Sequence, residues 1–228
     1  MKRKAASLIA TFKTVSAFGA KYAADFPPTG VGTQQFAIVT NAVTQLGASG
    51  ATQVSGGEAA HAGVLALAVG RTHLHDDLAG IAGAAHSLAL LGTAGLGGKF
   101  LLPRGNGTQK LLNSARAFLA DATPLKAQFL TVNVPANFLD QLTADIATYE
   151  AALGAKGAGK TTQGGATGGI EDAAHKAAIA LHVLDTVVKN TYKTNPQRLA
   201  EWVVASHVEK HTPVKRAQIT PTTTAPAK

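Results

Sequence analysis

The sequence predicts an all-α protein, an antiparallel bundle of about four long helices accompanied by several short ones. Apolar residues recur three and four positions apart in most segments, as in amphipathic helices. Leu67, Leu74, Ile81 and Leu88 fall one heptad apart, a spacing typical of a buried helix face. Apolar and polar residues alternate nowhere over the length of a strand. With 228 residues, of which 46% are hydrophobic, the chain can bury one sizeable core, or form two small domains at most.

In the first half, three helices are predicted between clear breaks. The first covers residues 4–24 and ends before Pro27 and Pro28, and the second covers 33–54. Ser55 followed by Glu58 matches a capping box, which predicts that a third helix starts there and runs to about residue 91. A glycine-rich loop, 92–98, follows it.

In the second half, prolines and glycines mark the predicted breaks. A helix begins near Thr108 and is interrupted near Pro124. Pro135 suits the first turn of the next helix, which carries an apolar stripe as far as Leu153. The sixteen residues 154–169, rich in glycine, are predicted to form a flexible loop. Two further helices are expected, at 170–192 and at 197–210.

The predicted organisation is a single helical domain, residues 1–210, followed by a tail. The tail, 211–228, is rich in Thr and Pro and lacks core-forming residues, so we expect it to be disordered alone or held by a partner. The chain has no Cys, which excludes disulfides and thiolate metal sites. No segment is long and apolar enough to predict a transmembrane helix.

The net charge of +8 comes from the two ends of the chain. Residues 1–60 hold five basic and two acidic residues, residues 186–228 hold seven and two, and the remainder holds nine of each. Basic ends favour solubility, or binding to nucleic acid or to another anionic surface. The candidate interaction residues there are Lys2, Arg3, Lys4, Lys215 and Arg216.

One segment matches the phosphate-binding pattern G-x-x-x-x-G-K-[ST], through Gly154, Gly159, Lys160 and Thr161. That chemistry needs a strand before the loop and a helix directly after it, so that backbone N–H groups surround the phosphates. Here an amphipathic helix precedes the segment and more glycine follows. We therefore expect no nucleotide and no other cofactor at these residues.

Two pairs of side chains have a spacing that could chelate a metal. His73 and Asp77, and likewise His207 and His211, lie four residues apart and share a helix face. One such pair supplies at most half of a metal site, so a solvated helix surface is the preferred interpretation for the first pair and an exposed, frayed helix end for the second, and no metal site is predicted. No nucleophile motif or pair of catalytic acids is evident, and no catalytic residue is predicted.

The chain resembles a group of uncharacterised bacterial helical proteins. The resemblance is clearest over residues 99–150 and includes Phe100-Leu101-Leu102-Pro103-Arg104, Leu111-Leu112, Ala115-Arg116-Ala117-Phe118, Pro124-Leu125-Lys126, Pro135, Phe138-Leu139 and Asp145-Ile146. It implies a helical fold and carries no functional residues, because that group has no assigned activity. Within this region Arg104, beside Pro103 in a predicted loop, is unexplained by folding and is a further candidate interaction residue.

Together, these observations favour a non-enzymatic helical bundle that associates with itself or with a larger assembly. Only 15% of the residues are charged, and the helix faces are rich in small residues, which suits close contact between chains. A binder of nucleic acid or anionic surfaces through the basic termini is the first alternative, and a metal-dependent helical enzyme is the second. The compartment stays open: Lys13 interrupts a signal-like N-terminus, which favours the cytoplasm over secretion.

Overall fold

The fold is all-α. The computed structural model describes residues 3–96, 98–105 and 107–207, with side chains from residue 7 onward, and contains no β-strand in these ranges. Six α-helices occur there: α1 (Arg3–Lys21), α2 (Val31–Leu90), α3 (Thr108–Ala122), α4 (Lys126–Thr131), α5 (Phe138–Thr191) and α6 (Pro196–Ser206). None of them has the combination of length and apolarity that a membrane-spanning helix requires. The predicted tail, 211–228, lies outside the described residues.

Helices α2 and α5 are each continuous, which corrects two predictions. The expected helix start at Ser55 lies inside the 60 residues of α2, and the expected loop 154–169 lies inside the 54 residues of α5. The predicted third and fifth helices therefore do not exist separately. Glycine raises the free energy of a helix by about 1 kcal/mol relative to alanine but, unlike proline, does not block its hydrogen bonds. No proline occurs in either long helix.

The chain divides into two compact units, and both units contain parts of α2 and α5. The first unit comprises residues 1–50 and 168–228, and the second comprises residues 51–167. The core of the first unit is rich in aromatic residues and includes Phe12, Phe18, Phe36, Tyr192 and Trp202. Its α6 starts as predicted, with the side chain of Asn195 accepting a hydrogen bond from the backbone N–H of Arg198 at 3.2 Å.

The second unit is built from residues 51–90 of α2, α3, α4 and residues 138–167 of α5. The predicted heptad positions Leu67, Leu74, Ile81 and Leu88 are all buried in its core. The same core contains three phenylalanines of the segment between α2 and α5. The ring centroid of Phe100 lies 5.2 Å from that of Phe118 and 5.7 Å from that of Phe129. The α3 start at Thr108 and the loop after Leu91 confirm the predicted boundaries.

Within the second unit, α2 and α5 pack antiparallel at very short range. A Cβ atom built on Gly63 would lie 2.6 Å from the backbone nitrogen of Lys156, and one on Gly56 would lie 2.8 Å from that of Gln163. The partner number falls as the α2 number rises, which defines the antiparallel direction. Such contacts are possible because glycine has no side chain, and they explain why this glycine-rich sequence is helical.

Candidate functional site

The phosphate-loop pattern forms no loop. Gly154, Lys160 and Thr161 all lie within the continuous helix α5. The Thr161 hydroxyl donates to the carbonyl of Gly157, one turn earlier, at 3.1 Å. In a helix the backbone N–H groups already bond to carbonyls four residues earlier, so they cannot surround a phosphate. Gly159 has a packing function, because a Cβ atom there would lie 2.4 Å from the backbone nitrogen of Ala60.

A cluster of polar side chains forms where α2 and α5 meet in the second unit. His73 and Asp77 occupy successive turns of α2, as predicted, and α5 adds Asp145 and Gln141. Asp145 is 8% exposed, and its carboxylate lies 3.7 Å from Nδ1 of His73. Gln141 Nε2 donates to Asp145 Oδ2 at 3.1 Å. The helical period placed His73 and Asp77 together, whereas Asp145 was missed because it is distant in sequence.

Asp77 and Asp145 form a carboxyl pair. Burial of Asp77, together with its hydrogen bond to Asp145 and the charge of that residue, raises the pKa of Asp77 to about 6. Oδ2 of Asp77 is buried and accepts no hydrogen bond from any donor in the described residues. A proton on Asp77 that is donated to Asp145 satisfies both groups, which is the expected state of two adjacent carboxyl groups.

Asp77 of this pair lines a cleft of about 330 Å³. Asp76, Asp77, Asn137 and Gln141 supply polar groups to its lining, and Phe138 supplies an apolar wall. In the described part of the chain, no three His, Asp or Glu side chains come close enough together to hold a metal ion. The carboxyl pair is the feature of this cluster that can take up and release a proton.

The other predicted site residues are separate from this cluster. His207 follows α6, and its carbonyl accepts a hydrogen bond from the Thr11 hydroxyl at 3.2 Å. Its proposed companion His211 lies outside the described residues, as do Lys2, Lys215 and Arg216. Arg3 and Lys4 belong to α1, but their side chains are outside the described set. Arg104 is exposed between α2 and α3.

The first unit contains an interaction network that the sequence did not predict. Arg198 of α6 pairs with Asp25, and its guanidinium lies 4.9 Å from the ring centroid of Tyr22 and 5.1 Å from that of Tyr192. Tyr192 donates to Asp25 at 2.7 Å, and Tyr22 donates to Glu201 at 2.6 Å. This network connects α6 to the segment that follows α1 and to the residue directly after α5.

The most unusual surface of the second unit is the side of α2 that faces away from α5. Four large apolar side chains are exposed there within sixteen residues: Val54 (59%), Val64 (44%), Leu65 (57%) and Val69 (56%). At 100° per residue, Val54, Leu65 and Val69 share one side of the helix, with Val64 at its edge. We call these four residues the outer face. The buried residues Gly56, Gly63, Leu67 and Gly70 occupy the opposite side.

Comparison with known proteins gives no relative from which a function could be transferred. No protein-family model matches the chain, and neither a curated protein nor a solved structure is significantly similar to it.

Proposed function

We propose that this chain is a non-enzymatic, self-associating helical protein, and that the outer face of α2 binds a second copy. The observation that carries the proposal is that this part of α2 has large apolar side chains on two opposite sides. One side is buried against α5, and the other exposes Val54, Leu65 and Val69. Large apolar side chains grouped on one exposed side of a helix mark an interaction surface, so the outer face is expected to be covered in the working state, with Glu58 and His61 as the exposed polar residues on that side.

A second copy is the partner that fits the charges next to this face. Residues 51–70 contain one charged residue, Glu58, and the next along the chain is Arg71. Glu58 precedes Leu65 by seven residues and Arg71 follows it by six. At 100° per residue, Glu58 shares the side of Leu65 whereas Arg71 is turned about 120° away from it, so Glu58 is the single formal charge on the outer face. Two copies of α2 that meet antiparallel near Leu65 would hold their two Glu58 side chains at opposite ends of the contact, well apart from each other. Such a two-fold contact is self-complementary and closes as a dimer.

Light scattering coupled to size-exclusion chromatography, at micromolar protein concentration, tests the proposal. The wild-type chain is expected to have twice the 23.2 kDa mass of one chain. The Leu65→Glu/Val69→Glu variant should be monomeric, because four like charges would be buried in the contact. Val31→Glu/Ile179→Glu is the matched control, since both residues are exposed on other parts of the long helices, and it should keep the wild-type mass. A monomeric wild type would refute the proposal.

A further inference from the structure

We propose that the connection between α2 and α3 is a second, separate interaction surface, which binds anionic lipid bilayers peripherally. Four leucines at this connection are exposed: Leu90 (77%), Leu91 (76%), Leu101 (71%) and Leu102 (38%). We call these four residues the leucine surface. They differ from the outer face both in position and in the charges that surround them.

The structure shows why these leucines are held outside. The segment between the two helices is anchored by Leu96 and Phe100, which are 5% and 6% exposed and pack into the core of the second unit. The neighbouring Leu101 and Leu102 are therefore kept out of the core by a fixed backbone. Gly92 and Gly95, with φ of 92° and 83°, provide the left-handed backbone that turns the chain directly after Leu91.

The formal charges that no ion pair compensates in the segment that carries the leucine surface are positive. Residues 78–120 contain four basic residues, Lys99, Arg104, Lys110 and Arg116, and no acidic residue. Lys99 lies 3.1 Å from Asp121, and Arg116 pairs with Glu150, so these two are compensated. Arg104 and Lys110 are exposed and form no ion pair within the described residues; Lys110 donates to the backbone carbonyl of Arg104 at 3.0 Å.

Exposed leucines beside uncompensated cations match one class of partner. The interfacial region of an anionic bilayer accepts apolar side chains and attracts basic residues at the same place. Nucleic acid would attract Arg104 and Lys110 but gives leucine no apolar environment. A second copy of the same surface would bring the like charges together. The combination therefore favours a lipid surface over both of these.

Sedimentation of the full chain with vesicles tests this inference. The wild type should bind vesicles of phosphatidylcholine with phosphatidylserine, should bind phosphatidylcholine alone weakly, and should be released by salt. Leu101→Asn/Leu102→Asn and Arg104→Gln/Lys110→Gln should each reduce the partition coefficient by roughly tenfold. The matched controls are Val203→Asn/Val204→Asn and Lys160→Gln, which alter exposed residues elsewhere and should bind as the wild type does.

Three results would overturn the inference. The first is a wild type that stays in the supernatant with anionic vesicles. The second is undiminished sedimentation of the leucine variant, because the basic termini would then account for binding. The third is binding to duplex DNA that requires Arg104 while vesicle binding does not.

The experiment also separates this surface from the outer face of α2. By light scattering, the leucine variant should keep the mass of the wild type, and its circular dichroism spectrum should be unchanged. A change in mass would assign the leucines to the contact between copies and would overturn the lipid assignment.

Discussion

Gly159 of α5 lies directly against Ala60 of α2, so close that a Cβ atom on Gly159 would be 2.4 Å from the backbone nitrogen of Ala60. A real Cβ atom cannot occupy that position unless a backbone moves. Gly157, two residues earlier on the same helix, has no atom within 4 Å of its Cβ position. The two glycines have the same helix propensity but different surroundings, and they therefore form a matched pair.

We expect Gly159→Ala to destabilise the protein by about 1–3 kcal/mol, because the helices must separate or shift. Gly157→Ala should instead stabilise it by about 0.5–1 kcal/mol, since alanine costs less conformational entropy in a helix. Urea denaturation of the two variants measures both free energies of unfolding. Equal effects of the two substitutions would show that the close approach of α2 and α5 is absent.

A second prediction concerns the continuity of α5 through its glycine-rich part. Gly164 is exposed, and a Cβ atom there would meet nothing within 4 Å. In a continuous helix, Gly164→Pro should cost about 3 kcal/mol and lower the helical circular dichroism signal, whereas Gly164→Ala should be stabilising. In a flexible loop, both substitutions would be close to neutral. Thermal and urea unfolding, followed by circular dichroism, decide between the two.

The all-α fold and the positions of most core residues follow from the sequence, because they depend on local apolar spacing. The heptad from Leu67 to Leu88 and the start of α6 at Asn195 are examples. The continuity of α2 and α5 was missed for a physical reason. Glycine is a helix breaker by propensity, but here Gly56 and Gly159 are opposed and allow the backbones of two helices to touch. That gain depends on residues about a hundred positions apart.

The absence of proline is the sequence signal that agrees with the continuity of α2 and α5. Pro27, Pro103, Pro124, Pro135 and Pro196 all lie outside the two long helices or at the first residue of a helix. Proline removes a backbone donor and clashes with the preceding turn, so it restricts the backbone regardless of tertiary context. Glycine keeps its backbone donor and causes no such clash. Whether it interrupts a helix therefore depends on how the helix packs.

The polar cluster shows the same division between local and distant information. His73 and Asp77 were paired by helical spacing alone, since residues four apart share a face. Asp145 belongs to the cluster because the tertiary packing of α5 against α2 brings it there. The sequence contains no pattern that links it to Asp77. The network around Arg198 was missed for the same reason, because Tyr22 and Asp25 are far from it in sequence.

The third prediction concerns Arg198, whose guanidinium lies over the rings of Tyr22 and Tyr192 and pairs with Asp25. Arg198→Lys keeps the charge but loses the planar group that contacts both rings and the carboxylate. We expect a loss of about 1–2 kcal/mol in the free energy of unfolding. Lys193→Arg, which alters an exposed basic residue near the end of α5, is the control and should be close to neutral. Equal stability of Arg198→Lys and the wild type would mean that the network does not fasten α6.

The fourth prediction uses the carboxyl pair. The pKa of Asp77 is raised from 3.8 to about 6 in the folded chain, so the folded state holds a proton that the unfolded state has lost between these two pH values. The free energy of unfolding should therefore fall as the pH rises from about 4 to 6, and the contribution of this group should be constant above that range. His73 and Asp76 on α2 and Asp145 on α5 are the ionisable groups that influence it.

Asp77→Asn should remove this pH dependence, because an amide carries no charge and can still donate a hydrogen bond to Asp145. Relative to the wild type, we expect it to be about 1–2 kcal/mol more stable at pH 7, a value reduced from the full pKa difference because Asp77 is partly exposed. The control is Asp76→Asn, whose side chain is exposed next to the pair and which should retain the wild-type slope between pH 4 and 6. Urea denaturation across this pH range measures all three proteins. If the Asp77→Asn slope equals that of the wild type, the proton is not shared between Asp77 and Asp145.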